Sequence, residues 1–206
     1  MINRHRLLAL ASAAAVSVAL FCAAGAVARA QAPLALGSSR ITIAGTSNIH
    51  AYTASTSTVR IVRADVGNAI GPDLWTRALT PGVVAAFEVA VPAASLTSPR
   101  EGLDKNMHKA LKVEQYGEIS FRLARIEPLE NGAAKVIGTL KISGVEREVA
   151  LDINTRRTDA GLVVNGQTTL LMTDYGIKPP TAMLGMLKTD PKVTITFETT
   201  LSVSST

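Results

Sequence analysis

The chain has 206 residues, a formal charge of +5 and a single cysteine. One cysteine excludes an internal disulfide and a thiolate metal cluster. An aromatic content of 4 % excludes a stacking platform for single-stranded nucleic acid.

The first element in chain order is an export signal. Arg4 and Arg6 form a short positive start, and Leu7 to Ala26 is an apolar stretch dominated by Ala, Val and Leu. Ala28-Arg29-Ala30 places small residues ahead of a cleavage before Gln31, and Ala26-Val27-Ala28 is an overlapping alternative. Residues 1–30 are therefore expected to be a removable signal peptide that sends the protein to the periplasm. A retained membrane anchor is the competing reading; the Ala-rich composition and the two small-residue sites argue for removal. Lipoprotein processing at Cys22 fits poorly with the bulky Phe21 before it. Removal takes Arg4, Arg6, Arg29 and Cys22, so the formal charge falls to about +2 and no thiol remains. That charge calls for neither nucleic acid nor an anionic membrane, and no membrane span is expected once the signal is gone. Residues 31–206 suffice for one domain with its own core, preceded by a short lead, Gln31 to Ser38.

The rest of the chain carries a period of two, the mark of half-buried strands. Ile119, Phe121 and Leu123 alternate with Glu118, Ser120 and Arg122. Val136, Gly138, Leu140 and Ile142 alternate with Lys135, Thr139 and Lys141, and Ile137 interrupts the polar side. Val149, Leu151 and Ile153 alternate with polar or small neighbours, as do Val193, Ile195 and Phe197. Similar patterns occur at Ile41-Ile43, Val59-Ile61 and Phe87-Val89-Val91, and from Leu162 to Met172. These are about eight strands. Glu130-Asn131-Gly132, Ser143-Gly144 and Asp159-Ala160-Gly161 mark tight joints, so neighbours are antiparallel. One apolar face per strand suits a mainly β barrel or sandwich with an apolar inside.

Two segments depart from this pattern. Glu101 to Lys112 reads as an amphipathic helix with Leu103, Met107, Ala110 and Leu111 on one face. Pro179 to Leu187 contains Met183, Leu184, Met186 and Leu187, many large apolar residues for a connection, and reads as a short helix with Pro179 or Pro180 near its first turn.

Catalytic equipment is sparse. After the signal, the histidines are His50 and His108, with no metal-binding spacing between them. His50 closes a polar turn, Thr46 to Ile49, and reads as a hydrogen-bonded loop residue; His108 reads as a solvated helix residue. No G-x-S-x-G elbow marks a nucleophile. Glu146 and Glu148 share the polar face of one strand. No catalytic residue, metal or cofactor is expected. The interior is then either a packed core or a cavity for an apolar ligand.

Several motifs, in order, resemble the YceI-like family of bacterial polyisoprenoid-binding proteins. They are Thr46-Ser47-Asn48-Ile49-His50; Leu103-Asp104, Met107, Leu111-Lys112, Tyr116 and Ile119-Ser120-Phe121; Gly138-Thr139-Leu140-Lys141-Ile142-Ser143-Gly144-Val145; Asp174-Tyr175-Gly176-Ile177; and Asp190, Val193, Ile195 and Phe197. The chain departs from the family at Gly117, where Pro is usual after the Tyr, and at Lys141, where Thr is common. Asp174-Tyr175-Gly176-Ile177 stands where the family has D-F-G-I. The resemblance implies a lipocalin-like antiparallel barrel with an internal channel for an isoprenoid or fatty-acyl chain, and no established catalytic residue. On this reading Phe121, Leu123, Leu140, Ile142, Leu151, Ile153, Ile195 and Phe197 face the interior. Met107, Leu111, Met183 and Met186 form the entrance, and Lys178 and Lys188 flank the Pro-Met segment. The expected partner is an apolar lipid. The competing readings are an enzyme acting on a small apolar substrate, with His50, Asp174 and Tyr175 as its candidates, and an envelope or stress module without a cavity.

Overall fold

In the computed structural model the described residues are 34–66, 73–182 and 186–203. Residues 1–30, the expected export signal, and the segment Met183 to Gly185 fall outside them. The strands are β1 (Leu34–Ser47), β2 (Ala51–Thr56), β3 (Arg60–Asp65), β4 (Ala86–Pro92), β5 (Glu118–Pro128), β6 (Ala133–Ile142), β7 (Val145–Thr158), β8 (Gly161–Leu171), β9 (Thr181–Ala182) and β10 (Leu187–Val203). Two helices interrupt them, α1 (Asp73–Arg77) and α2 (Glu101–Leu111).

Nine strands form one hydrogen-bonded path, β2-β1-β10-β8-β7-β6-β5-β4-β3, and every neighbour pair is antiparallel. Apart from β10 joining β1 to β8, the path follows chain order, as short hairpin joints dictate. The sheet curls into a half-barrel with β2 and β3 as its two edges. The gap beside β2 is partly stitched by chain that follows β4. Ser55 and Thr97 exchange backbone hydrogen bonds of 2.8 and 3.0 Å, and the buried Thr56 hydroxyl bonds Ser95 at 2.8 Å. An edge covered in this way is a poorer template for another chain.

The eight expected strands are all present. β2 and β9 are additional, and β1 begins at Leu34, so part of the expected lead is strand. Around Pro179 the described residues form no helix: Thr181–Ala182 pairs antiparallel with Leu187–Lys188. The two prolines precede that strand and donate no hydrogen bond to it.

α2 matches the amphipathic reading. Glu101 and Asp104 lie in its first turn, where carboxylates meet the positive end of the helix dipole. Asp104 accepts a hydrogen bond from the Ser98 amide at 2.8 Å. Lys112 ends the helix in the left-handed conformation (φ 55°). The buried Ser143 hydroxyl donates to the Leu111 carbonyl at 2.9 Å and so ties the helix end to the β6–β7 turn. His108 is half-buried, not solvated: its Nε2 lies 2.8 Å from the Leu96 carbonyl. The helix face that carries it packs on the chain entering α2.

The β6–β7 turn has two central residues, Ser143 (φ 50°) and Gly144 (φ 80°), between the pair Ile142 and Val145. Two positive φ values in a row are what a two-residue hairpin needs to follow the twist of its strands. A Cβ at Gly144 would also press on the Tyr116 ring, 2.5 Å from its Cε1. Gly144→Ala is therefore expected to lower the unfolding free energy by about 2 kcal/mol, the left-handed penalty plus the displaced ring. Urea unfolding measures this; an unchanged midpoint would contradict the turn geometry.

Candidate functional site

The alternating strands place one row of apolar side chains inside the curl. In a filled core those side chains would be sealed. Here Phe121, Leu123, Leu151, Ile195 and Phe197 face inward yet are only half-buried. The space they leave is a cavity of about 840 Å³. It runs past three clusters of packed residues, centred on Leu96 and Leu111, on Val66 and Leu74, and on Val136 and Ile153.

Three inward glycines keep the lumen wide. A Cβ at Gly138 would overlap the Phe121 ring, and one at Gly166 would stand 2.8 Å from Phe197 Cζ. At Gly45, paired across strands with Tyr52, it would overlap the phenol. Each ring thus lies over a glycine, against the wall rather than across the lumen.

The two ends of the cavity differ. At the α1 end, Leu34, Val66, Leu74 and Ala78 line it and are buried, with Leu74 only 1 % exposed. At the α2 end the lining includes the exposed residues His50, Thr53, Arg100, Asn106 and Thr181. The lumen is therefore apolar and capped at one end, and bounded by polar groups at the other.

The polar rim is organised around His50. Arg100 Nη1 stands 2.7 Å from His50 Nε2, and Ser47 Oγ stands 3.2 Å from His50 Nδ1. Arginine has only N–H groups to offer, so Nε2 accepts and Nδ1 carries the proton. The Ser47 hydroxyl donates to the His50 carbonyl at 2.9 Å and accepts from the His50 amide at 3.1 Å. Ser47 and His50 thus form a turn, not a nucleophile and its base: the imidazole shows the serine a proton, not a lone pair. Next to this turn, Asn48 donates to the Met186 carbonyl and accepts from the Lys188 amide, both at 2.8 Å. The β1–β2 turn is clamped to the start of β10 there. Among the described residues no group of three or more His, Cys, Asp or Glu side chains could hold a metal ion, and no helix is long and apolar enough to cross a membrane.

Two tyrosines border the lumen. Burial, with Asp190 nearby, pushes the Tyr52 phenol above its ordinary value. Burial first, and Asp174 second, push Tyr175 up to about 12, against an opposing pull from Arg147. Both hydroxyls therefore keep their protons at neutral pH. Tyr175 is 3 % exposed, and among the described residues its hydroxyl is the buried side-chain polar atom without a hydrogen-bond partner. Such a group costs about 1–3 kcal/mol while it stays unpaired.

Of the twelve residues singled out in the sequence, ten lie on the wall. From the strands these are Phe121, Leu123, Leu140, Ile142, Leu151 and Ile153, with Ile195 and Phe197. Met107 and Leu111 join them from α2. Met183 lies outside the described residues. Met186 is not on the wall: its side chain is 65 % exposed, on the turn that Asn48 ties to the rim. Lys178 and Lys188 are exposed and not part of the lining; among the described residues the cation on the lining is Arg100. Glu146 faces outward, 3.6 Å from Lys141, as a solvated pair. Asp174 is exposed, so of the three enzyme candidates only His50 and Tyr175 reach the lumen. The sequence reading missed the α1 cap and Arg100.

Comparisons with known proteins give a consistent fold. The model of the YceI-like domain family matches residues 37–201. A polyisoprenoid binding domain from Saccharophagus degradans, implicated in plant cell wall breakdown, superposes with a TM-score of 0.64 at 13 % identity; the match covers 84 % of this chain and 100 % of that one. BcnA from Burkholderia cenocepacia gives 0.62 at 12 % identity, covering 80 % and 96 %. A Campylobacter jejuni YCEI protein gives 0.54 at 15 % identity, covering 78 % and 85 %. No curated protein matches the sequence.

Proposed function

The chain belongs to the YceI-like domain family, and from that premise we propose that it is a periplasmic carrier or sequestering protein for a long apolar lipid, an isoprenoid or fatty-acyl chain. The observation that carries this reading is the row of inward apolar side chains left half-buried around a cavity of about 840 Å³. A cavity of roughly 150 Å³ takes one benzene ring, so this lumen has room for on the order of thirty apolar carbons. Each buried methylene is worth about 0.8 kcal/mol. Ten of them give roughly 8 kcal/mol before the cost of ordering the lipid. Useful affinity then follows without any specific contact. Direction comes from the ends: the tail lies toward Leu74, and a polar head group meets Arg100 at the rim. The polyisoprenoid binding described for the Saccharophagus domain supports the class of ligand. The export signal in residues 1–30 supports the compartment.

Catalysis is the weaker reading. The phenols on the wall hold their protons, and His50 presents an N–H to Ser47. The lumen is suited to holding a molecule rather than transforming it.

The test is native mass spectrometry and lipid extraction of the protein isolated from the periplasmic fraction, with displacement of a fluorescent acyl probe. A copurified lipid and competitive displacement are expected. Absence of both, from correctly processed protein, would end the carrier reading.

A further inference from the structure

The open end of the lumen carries a cation whose charge the described residues leave unneutralised. Arg100 is exposed and lies on the cavity lining with Pro99 and Leu103. Among the described residues its guanidinium has one partner, the Nε2 atom of His50 at 2.7 Å. That partner is a neutral acceptor, so it holds the guanidinium without cancelling its charge. The acids nearest in sequence are engaged elsewhere. Glu101 pairs with Lys105 at 2.8 Å, and Asp104 accepts the Ser98 amide at 2.8 Å. Glu198, the carboxylate on the lining, lies far along β10 from Thr189, which pairs with Ser47 of the rim turn. At about 3.3 Å per residue the separation is roughly 30 Å. His50 takes up Nη1 alone. The edge formed by Nε and Nη2, the fork that matches a carboxylate or phosphate, makes no hydrogen bond to the described residues.

We infer that Arg100 is the head-group site of the lumen and that the ligand is an anionic amphiphile, a long apolar chain ending in a carboxylate or phosphate. The inference rests on the carrier reading above and narrows it. Apolar pockets orient their ligands through a few placed polar groups. A neutral alcohol at the rim meets an ordinary donor, whereas an anion forms a charge-assisted pair about twice as strong. The guanidinium is also ordered before the ligand arrives. His50 holds it, and Ser47 Oγ lies 3.2 Å from the other nitrogen of that imidazole. Less side-chain freedom is then lost on binding.

The experiment compares wild type with Arg100→Gln by displacement of a neutral phenylnaphthylamine dye at neutral pH. The probes are two matched pairs: palmitate with hexadecanol, and geranylgeranyl monophosphate with geranylgeraniol. Arg100→Gln is expected to weaken at least one anion roughly tenfold, the value of one charge-assisted bond, and to hold both alcohols within about twofold. The anion that suffers the loss identifies the head group, carboxylate or phosphate. Salt gives a second reading on wild type alone: it should weaken that anion and leave its alcohol unchanged. Anions unaffected by the substitution, an equal loss for anion and alcohol, or salt-independent anion binding would overturn the inference and leave the carrier reading standing. A wild type that binds none of the four probes would overturn both.

Discussion

Leu151→Trp is expected to empty the protein of lipid without unfolding it. Leu151 sits midway along the lumen on β7, opposite Val136, half-buried and facing inward. In a filled core the larger side chain would force its neighbours off their rotamers and cost about 1–3 kcal/mol of stability. In an open lumen the indole enters free space, so the urea midpoint stays close to that of wild type. The loss falls on the ligand. An indole that excludes two or three methylenes, at about 0.8 kcal/mol each, weakens dye or lipid binding on the order of thirtyfold. The copurified lipid should fall in proportion by native mass spectrometry. The opposite pattern, lost stability with no change in binding, would mean that the interior is packed and the cavity is not the site.

The wall of this site was legible in the sequence because strands announce their faces. Once Phe121, Leu123, Leu140 and Ile195 alternate with polar neighbours, their common side follows from the two-residue period. That side becoming a lumen rather than a packed core was not legible. It depends on Gly45, Gly138 and Gly166 standing beneath aromatic rings, which is a matter of cross-strand register. β2 escaped notice because Ala51–Thr56 has only small residues and one aromatic, with no apolar alternation to betray an edge strand. The strand pair at Thr181 was misread because a cluster of methionines and leucines after two prolines has no period of its own. The α1 cap is five residues long, shorter than any reliable helical pattern. Arg100 and Tyr175 are ordinary residues until the fold sets one beside His50 and leaves the other without a partner.

Electrostatics and apolar shape divide the work between the two ends. The ion pairs on the outer faces, such as Arg125 with Glu127 and Lys141 with Glu146, are exposed and add little to stability. Stability must come from the buried clusters, which are the same residues that frame the lumen. A barrel that keeps its centre open gives up part of the packing a filled core would have. The remaining anchors should therefore be unusually sensitive to truncation, and Leu96 is the clearest of them.

Leu96→Ala is expected to cost about 2–4 kcal/mol, the range for a sealed leucine whose surroundings collapse only in part. Leu96 is 1 % exposed and packs in the cluster that includes Leu111, Leu140, Leu170 and Tyr175. Its carbonyl pairs with His108 of α2, and the residue after it bridges to Ser55 of β2. The Leu96 side chain thus anchors in the core the short backbone stretch that ties the helix and the covered sheet edge together. The void left by truncation opens onto the existing lumen, so neighbours cannot close it without narrowing the site. The urea midpoint should fall and dye affinity should fall with it, whereas Leu129→Ala, at a side chain 60 % exposed, should change stability by no more than about 0.5 kcal/mol. Saturating lipid should restore part of the loss in Leu96→Ala, because a ligand that binds only the folded barrel stabilises it by mass action. A loss below about 1 kcal/mol would mean that α2 and the β2 edge are held by contacts other than Leu96.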